Sequence, residues 1–327
     1  VGFKPAIDAV HASPYRLKTI RIQQLIMNSL AKFYQDHPRR LRWWLLLTLA
    51  TTAALALYGQ LVNHWLPGVA HLPPLATATV LAIFAAALVC EYLDSSLGMG
   101  YGTILTPLLL LAEFAPLDIV PAVLCSELLT GLVAGVWHHR DGNLDLWHDR
   151  NARHTLGWLA LLSTVGALAA AALAVKLSAD WFAIAIVTIV LAMGVMTLAT
   201  AKRRIRYRPA AMLGIGLVAA FNKGLSGGGY GPLVTSGQMV SGVAPKAAVA
   251  ITSLAEAFTC LVGISAYLWL KDGQLNWSLV LPLVAGALLS VPMATATVRR
   301  LPEAVLRQAV GILTLLLGSV LLFKLIA

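Results

Sequence analysis

Residues 223–231 read KGLSGGGYG, three consecutive glycines and a fourth after a tyrosine, set between apolar runs. Glycine costs about 1 kcal/mol against alanine inside a helix, so this run is not there to prolong one. It lets the backbone turn sharply and approach something small. A weaker copy lies earlier, where residues 96–102 read SLGMGYG. A shift of 129 residues carries Gly98, Gly100, Tyr101 and Gly102 onto Gly227, Gly229, Tyr230 and Gly231. The same shift, without a gap, takes Thr106 to Thr235, Pro116 to Pro245 and Glu127 to Glu256. With two residues of slippage, DGNLDLW at 141–147 matches DGQLNW at 272–277. The chain is an internal duplication, and its fold has to place one broken segment twice.

The medium follows from composition. Of 327 residues, 59% are hydrophobic and 12% charged, where a soluble domain carries about 25% charged residues. An all-α polytopic membrane protein is expected, with the lipid bilayer as its surroundings. The net charge of +10 would suit nucleic acid, but the cations stand in short runs beside apolar spans and no nucleic-acid motif is present. Cys90, Cys125 and Cys260 sit in apolar runs as small fillers, and no metal or disulfide spacing appears. Nothing calls for a cofactor. The chain offers no cluster of nucleophile, base or metal ligands at matched depth, so an enzyme is not expected. His138, His139 and His148 read as a solvated loop.

Residues 1–42 carry eight cations, with apolar residues at near-helical spacing from Leu17 to Phe33. They read as a basic amphipathic cytoplasmic tail, or a partly ordered one, and not as a cleaved signal peptide. Residues 43–66 are an additional N-terminal transmembrane helix. The first repeat covers 75–201 and the second 209–327. Spans are expected at 75–93, 117–137, 155–175, 181–200, 246–270, 276–298 and 302–326, with short arms at 103–112 and 232–240. The cations of the tail, of 138–154, of 202–208, Lys246, Arg299, Arg300 and Arg307 fall on one side. Lys176, Lys271 and Lys324 fall on the other. The positive-inside rule makes the richer side cytoplasmic and puts the N-terminus there, in a cell (inner) membrane.

That orientation makes the two repeats inverted. The short arms cannot cross about 30 Å at 1.5 Å per residue. The two glycine-rich broken-helix hairpins should then meet near the bilayer midplane, as in many secondary transporters. Thr103 and Pro232 open the outgoing arms. Unpaired N–H groups at a helix start attract an anion, and a glycine turn adds more. The candidate substrate-binding residues are Gly98, Gly100, Tyr101, Thr106, Ser226, Gly227, Gly228, Gly229, Tyr230 and Thr235. The plainer alternative is that the glycines only allow close helix packing. Glu127 and Glu256 are intramembrane carboxylates at matching positions, and such groups are functional by default. Protonated, each could donate to the anion or carry a coupled proton; otherwise they shape the turns. Lys223 either attracts the anion or clamps to Asp94, its counterpart, or to Glu91.

At these residues the chain resembles the sulfite exporter TauE/SafE family. The resemblance rests on SLGMGYG with PAVLCSELLTGLVAG and on LSGGGYGPLVTSGQMVSGVAPKAAVAITSLAEAFTCLVG, and it covers about residues 75–327. Met99 departs from the family pattern, where glycine is common. The family motif maps to Gly98, Gly100, Gly227, Gly228 and Gly229. The resemblance implies an α-helical permease of two related halves, associated with export or exchange of sulfite and organosulfonates such as sulfoacetate and with sulfur-compound transport generally. An anion channel, or a permease for a carboxylate, is the alternative.

Overall fold

The computed structural model describes residues 42, 44–53, 75–144, 149–200, 209–240, 243–272, 274–297 and 303–326. Among the described residues from Thr77 on there are ten helices, five in each of the two parts that the 129-residue shift relates in sequence. In the first they are α1 (Thr77–Leu97), α2 (Tyr101–Leu111), α3 (Pro116–Arg140), α4 (Arg150–Ala174) and α5 (Ala179–Thr200). In the second they are α6 (Pro209–Ser226), α7 (Tyr230–Val240), α8 (Pro245–Leu270), α9 (Trp277–Thr297) and α10 (Glu303–Ile326). Seven of these helices, among the described residues, are long and apolar enough to cross a membrane. The chain is a multi-pass membrane protein.

Local chemistry sets the boundaries. Pro116 and Pro245 stand in the first turns of α3 and α8, after Ala115 and Ala244 with ψ of 138° in each case. A fixed proline φ and a missing N–H cost nothing at that position. Asp149 caps α4, accepting from the Ala152 N–H at 3.0 Å. The turns after α1 and α6 begin on Gly98 and Gly227, both at φ 69°, a left-handed conformation that glycine adopts freely. Each closes its helix: the Gly98 N–H donates to the Asp94 carbonyl and the Gly227 N–H to that of Lys223.

Packing repeats when the halves are exchanged. α1 packs on α9 as α6 packs on α4, and α3 on α9 as α8 on α4. α3 and α8 pack on each other, as do α5 and α10. Both self-equivalent pairs run antiparallel. Gly131 stands against Ser253 and Ala257, while Gly263 stands against Leu124. Gly194 meets Leu315 and Gly318 meets Leu191. Small residues let such helices approach without a hydrophobic drive, which lipid does not supply. The outer faces are apolar, with Trp158, Leu161 and Val165 exposed on α4 and Leu316, Val320 and Phe323 on α10. Polar residues turn inward, the reverse of a soluble bundle.

The short arms are 11 residues each, about 16 Å at 1.5 Å per residue. They begin at Tyr101 and Tyr230, two residues before the expected Thr103 and Pro232. The incoming α1 has 21 residues and is long enough to span alone. α3 runs on to Arg140, so His138 lies in its last turn and is buried rather than solvated. Its ring lies between α3, Asn143 and the end of α1, with Nδ1 on the Asn143 amide nitrogen at 3.0 Å. The cytoplasmic tail expected at 1–42 lies outside the described residues save for Arg42. The additional span is described only over Trp44–Ala53, whose Trp44 Nε1 donates to the Leu289 carbonyl of α9 at 2.6 Å.

Candidate anion-transport site

The two glycine turns pass each other with no side chains between them. Gly102 stands on the backbone of Gly227 and Gly228, and Gly231 on the backbone of Gly98 and Met99. Gly98 is closed in by Thr235, and Gly227 by Thr106 and Val123. Each contact becomes the other under the 129-residue shift. All ten candidate substrate-binding residues are buried here. Gly100 and Gly229 also hold positive φ, 137° and 80°.

Several turn N–H groups are already engaged. Gly98 and Gly227 close their helices, and Gly228 donates to Ser226 Oγ at 3.1 Å. The Tyr101 N–H, at the start of α2, donates to Asp94 Oδ1 at 3.2 Å. Thr235 donates to the Gly98 carbonyl at 2.8 Å and stands 2.9 Å from the Thr252 hydroxyl, to which Gln238 Nε2 donates. Its counterpart Thr106 has a buried hydroxyl with no hydrogen-bond partner. Val123 occupies the place that Thr252 holds in the second half and offers no hydroxyl there. The tyrosines differ as well. The Tyr101 hydroxyl bonds Ser126 Oγ at 2.7 Å, whereas Tyr230 faces the Ser163–Thr259 hydroxyl pair.

Beside the turns lies an ion cluster. Lys223, wholly buried, pairs with Glu127 Oε2 and reaches Glu256 Oε1 at 2.8 Å. This corrects the expected clamp to Asp94 or Glu91. α3 and α8 cross antiparallel and aim their equivalent glutamates into one space, and the long lysine from α6 reaches both. Asp94 is shorter and is held by the Tyr101 N–H. Glu91 is turned toward Ser95 and Thr130, accepting from Ser95 Oγ at 2.6 Å and Thr130 Oγ1 at 3.1 Å. Removing one partner of a buried ion pair typically costs about 3–5 kcal/mol, because the other charge is stranded.

A sequence profile of the family described as Sulfite exporter TauE/SafE matches residues 82–321, which include both glycine turns and the whole ion cluster. The chain belongs to that family. It is a TauE/SafE membrane transporter and not an enzyme. The probable membrane transporter protein YtnM of Bacillus subtilis (strain 168) is 28% identical over 245 residues, 71% of this chain and 79% of its own length. No solved structure matches the chain. Within this TauE/SafE core, the shift had already singled out Glu127, Glu256, Lys223 and the glycines. It had not singled out Ser95, Thr130, Ser126, Thr252 or Gln238. Ser95 lies four residues after Glu91 and Thr130 three after Glu127, the spacings of neighbours on one helical face. That spacing was the signal available for two of them.

Proposed function

We propose that the protein is a secondary transporter, in the exporting direction, of a small sulfur oxyanion or organosulfonate such as sulfite or sulfoacetate. It works by alternating access between two inverted repeats whose glycine turns lie near the bilayer midplane of a cell (inner) membrane, with the N-terminus cytoplasmic. The observation that carries the proposal is Lys223, one buried ammonium shared by two equivalent carboxylates at the seam between the halves. An anion reaching this seam competes with Glu127 and Glu256 for the lysine, and a freed carboxylate takes up a proton. Glu127 and Glu256 thereby couple substrate to protons. Thr106, with its unpartnered hydroxyl, and the starts of α2 and α7 add donors when the turns part.

The closure of one turn on the other supports a transporter over an anion channel, which needs a continuous pore. The antiparallel pairing of α3 with α8 and of α5 with α10 supports inversion. Lys271 and Lys324 reach the α2–α3 end of the bundle, at Leu117 and Glu113, while Lys246 reaches Gly142 at the opposite end. That sorting agrees with the assigned sides. With the cell interior negative, an anion leaves downhill by about 2.3 kcal/mol per charge per 100 mV, which suits export.

The test is flux of labelled sulfite, sulfate, thiosulfate, sulfoacetate and a carboxylate in proteoliposomes, with and without a pH difference. Saturable flux and counter-exchange of a sulfur anion are expected, and Lys223→Met abolishes both. A folded preparation that moves none of the sulfur compounds defeats the assignment, and flux without counter-exchange favours a channel.

A further inference from the structure

The interior holds more negative charge than Lys223 balances. Glu91 and Asp94 face it from α1, Glu127 from α3 and Glu256 from α8, against the one ammonium of α6. Among the described residues, the other titratable groups around them are the buried thiols of Cys90 and Cys260 and the phenols of Tyr101 and Tyr230. α9, packed on α1, brings no charged residue, and α10 carries its charges toward its ends. His138, farther along α3, is set against the Ser95 carbonyl and capped by Asn143 Nδ2 at 3.0 Å. An amide nitrogen only donates, so His138 Nδ1 accepts there and is closed to a passing proton.

The four carboxylates are held differently. Glu127 and Glu256 hold Lys223. Asp94 accepts a backbone N–H at the positive end of α2. Glu91, 2% exposed, has only two hydroxyls and touches no cation. Its place in the second half is Ala220, and Ser95 is replaced there by Gly224. A second, separate observation concerns Glu127. Glu127 Oε1 is buried without a hydrogen-bond partner, while Oε2 is on the lysine. A dehydrated interior does not keep an unpaired carboxylate charged, and the smallest ion that neutralises one is a proton.

We propose that Glu91 is the loading site for the coupling proton, a site that the second half, with Ala220 in its place, lacks. The inference rests on the transport function above and moves the proton-loading step one helix away from the glutamates that hold the lysine. The proton comes from water when the cluster opens and converts the Glu91 carboxylate to the acid. It then passes to Glu127 as the arriving anion takes over Lys223, leaving Glu91 ionised; the ammonium keeps its charge throughout. The Ser95 and Thr130 hydroxyls donate to the carboxylate and one accepts from the acid, so both states are bonded.

The full chain in proteoliposomes tests this with labelled sulfoacetate, in sodium-free buffer with the membrane potential clamped. A difference of one pH unit drives roughly tenfold accumulation through a one-proton carrier. Wild type should approach that, while Glu91→Gln, close in shape, should stay near onefold yet keep counterflow within about twofold of wild type. A pH dye trapped inside should report proton movement with wild type and none with Glu91→Gln. Thr130→Val, a second variant, should shift the pH profile of coupled flux without abolishing it. If wild type accumulates sulfoacetate and Glu91→Gln still does so, Glu91 is not the proton site. If Glu91→Gln loses counterflow too while remaining folded, its role is in substrate binding and the proposal is overturned. Wild type that moves neither sulfoacetate nor sulfite, sulfate or thiosulfate overturns the transport function, and this inference with it.

Discussion

The two halves share a backbone and differ in chemistry. Gly98 and Gly227 have the same φ, α2 and α7 the same length, and each turn touches the other's outgoing arm at matching residues. At the equivalent side-chain positions the first half has Glu91, Asp94, Ser95, Val123 and His138, and the second has Ala220, Lys223, Gly224, Thr252 and Tyr267. Even a replaced pair can keep its job: the His138 ring faces the Ser95 carbonyl, and Tyr267 donates to the Gly224 carbonyl at 2.9 Å. Duplication preserved what the close crossing of turns requires, which is an absence of side chains. It left free what the crossing does not touch, and there opposite charges arose at one place, Asp94 in one half and Lys223 in the other.

The shared part should break symmetrically. Gly102→Ala and Gly231→Ala each drive a methyl into the backbone of the opposite turn, where no side chain can move aside. Each should cost about 3 kcal/mol or more, at the upper end of overpacking penalties. Thermal unfolding in detergent should place the two variants together, and a large difference between them would show that the turns are not equivalent.

The divergent part should break asymmetrically. Lys223→Met strands Glu127 and Glu256 facing each other, a loss on the order of 3–5 kcal/mol. Asp94→Asn removes one negative charge and keeps an oxygen for the Tyr101 N–H, so it should change stability far less. Adding Glu127→Gln to Lys223→Met should recover part of the loss, which a double-mutant cycle measures. Equal losses at positions 94 and 223 would mean that the lysine does not hold the glutamates.

A finer contrast lies in the threonines. Thr235→Val removes a donor from the Gly98 carbonyl and breaks the chain through Thr252 to Gln238, costing about 1 kcal/mol or somewhat more. Thr106→Val removes a buried hydroxyl that has no partner, so stability should hold or rise. If Thr106 meets the anion, the same variant weakens flux while the protein stays folded. Paired measurements of melting temperature and transport separate these effects, and a destabilised Thr106→Val would contradict the missing partner.

How much was legible beforehand divides along the same line. The broken helices, short arms and spans follow from glycine, proline and apolar length, which act locally, and they match the structure to within a few residues. Glu127 and Glu256 stood out because a duplication marks equivalent positions. The partner of Lys223 did not, because the shift pairs it with Asp94, and sequence equivalence is not contact. Two equivalent residues are brought together only where they lie near the crossing of their own antiparallel helices, as Glu127 and Glu256 do. The burial of His138 was hidden by the same limit: helix α3 runs past the charged end of its apolar stretch, and Asn143 folds back beneath it.

The smallest expected effect compares the α2–α3 loop with the α7–α8 loop. Glu113 adopts φ 68°, a left-handed conformation unfavourable for a residue with a Cβ. The 129-residue shift puts it on Gly242, which lies outside the described residues but in sequence is the amino acid such a position favours. Glu113 also accepts from Lys324 Nζ at 3.0 Å, and this bond with the lysine's charge holds its carboxyl below the usual range. A lowered carboxyl value means the pair stabilises the fold above the ordinary Glu range and stops doing so as the pH falls through the lowered value. Glu113→Gly relieves the backbone at every pH and gives up the pair only where the pair exists. The variant's gain in melting temperature should therefore be largest in acid, shrink toward neutral pH, and stay smaller than the loss on Thr235→Val, because an exposed pair is screened. A gain that grew with pH would show that Lys324 does not hold this carboxylate. A loss at every pH would show that the left-handed turn costs Glu113 nothing.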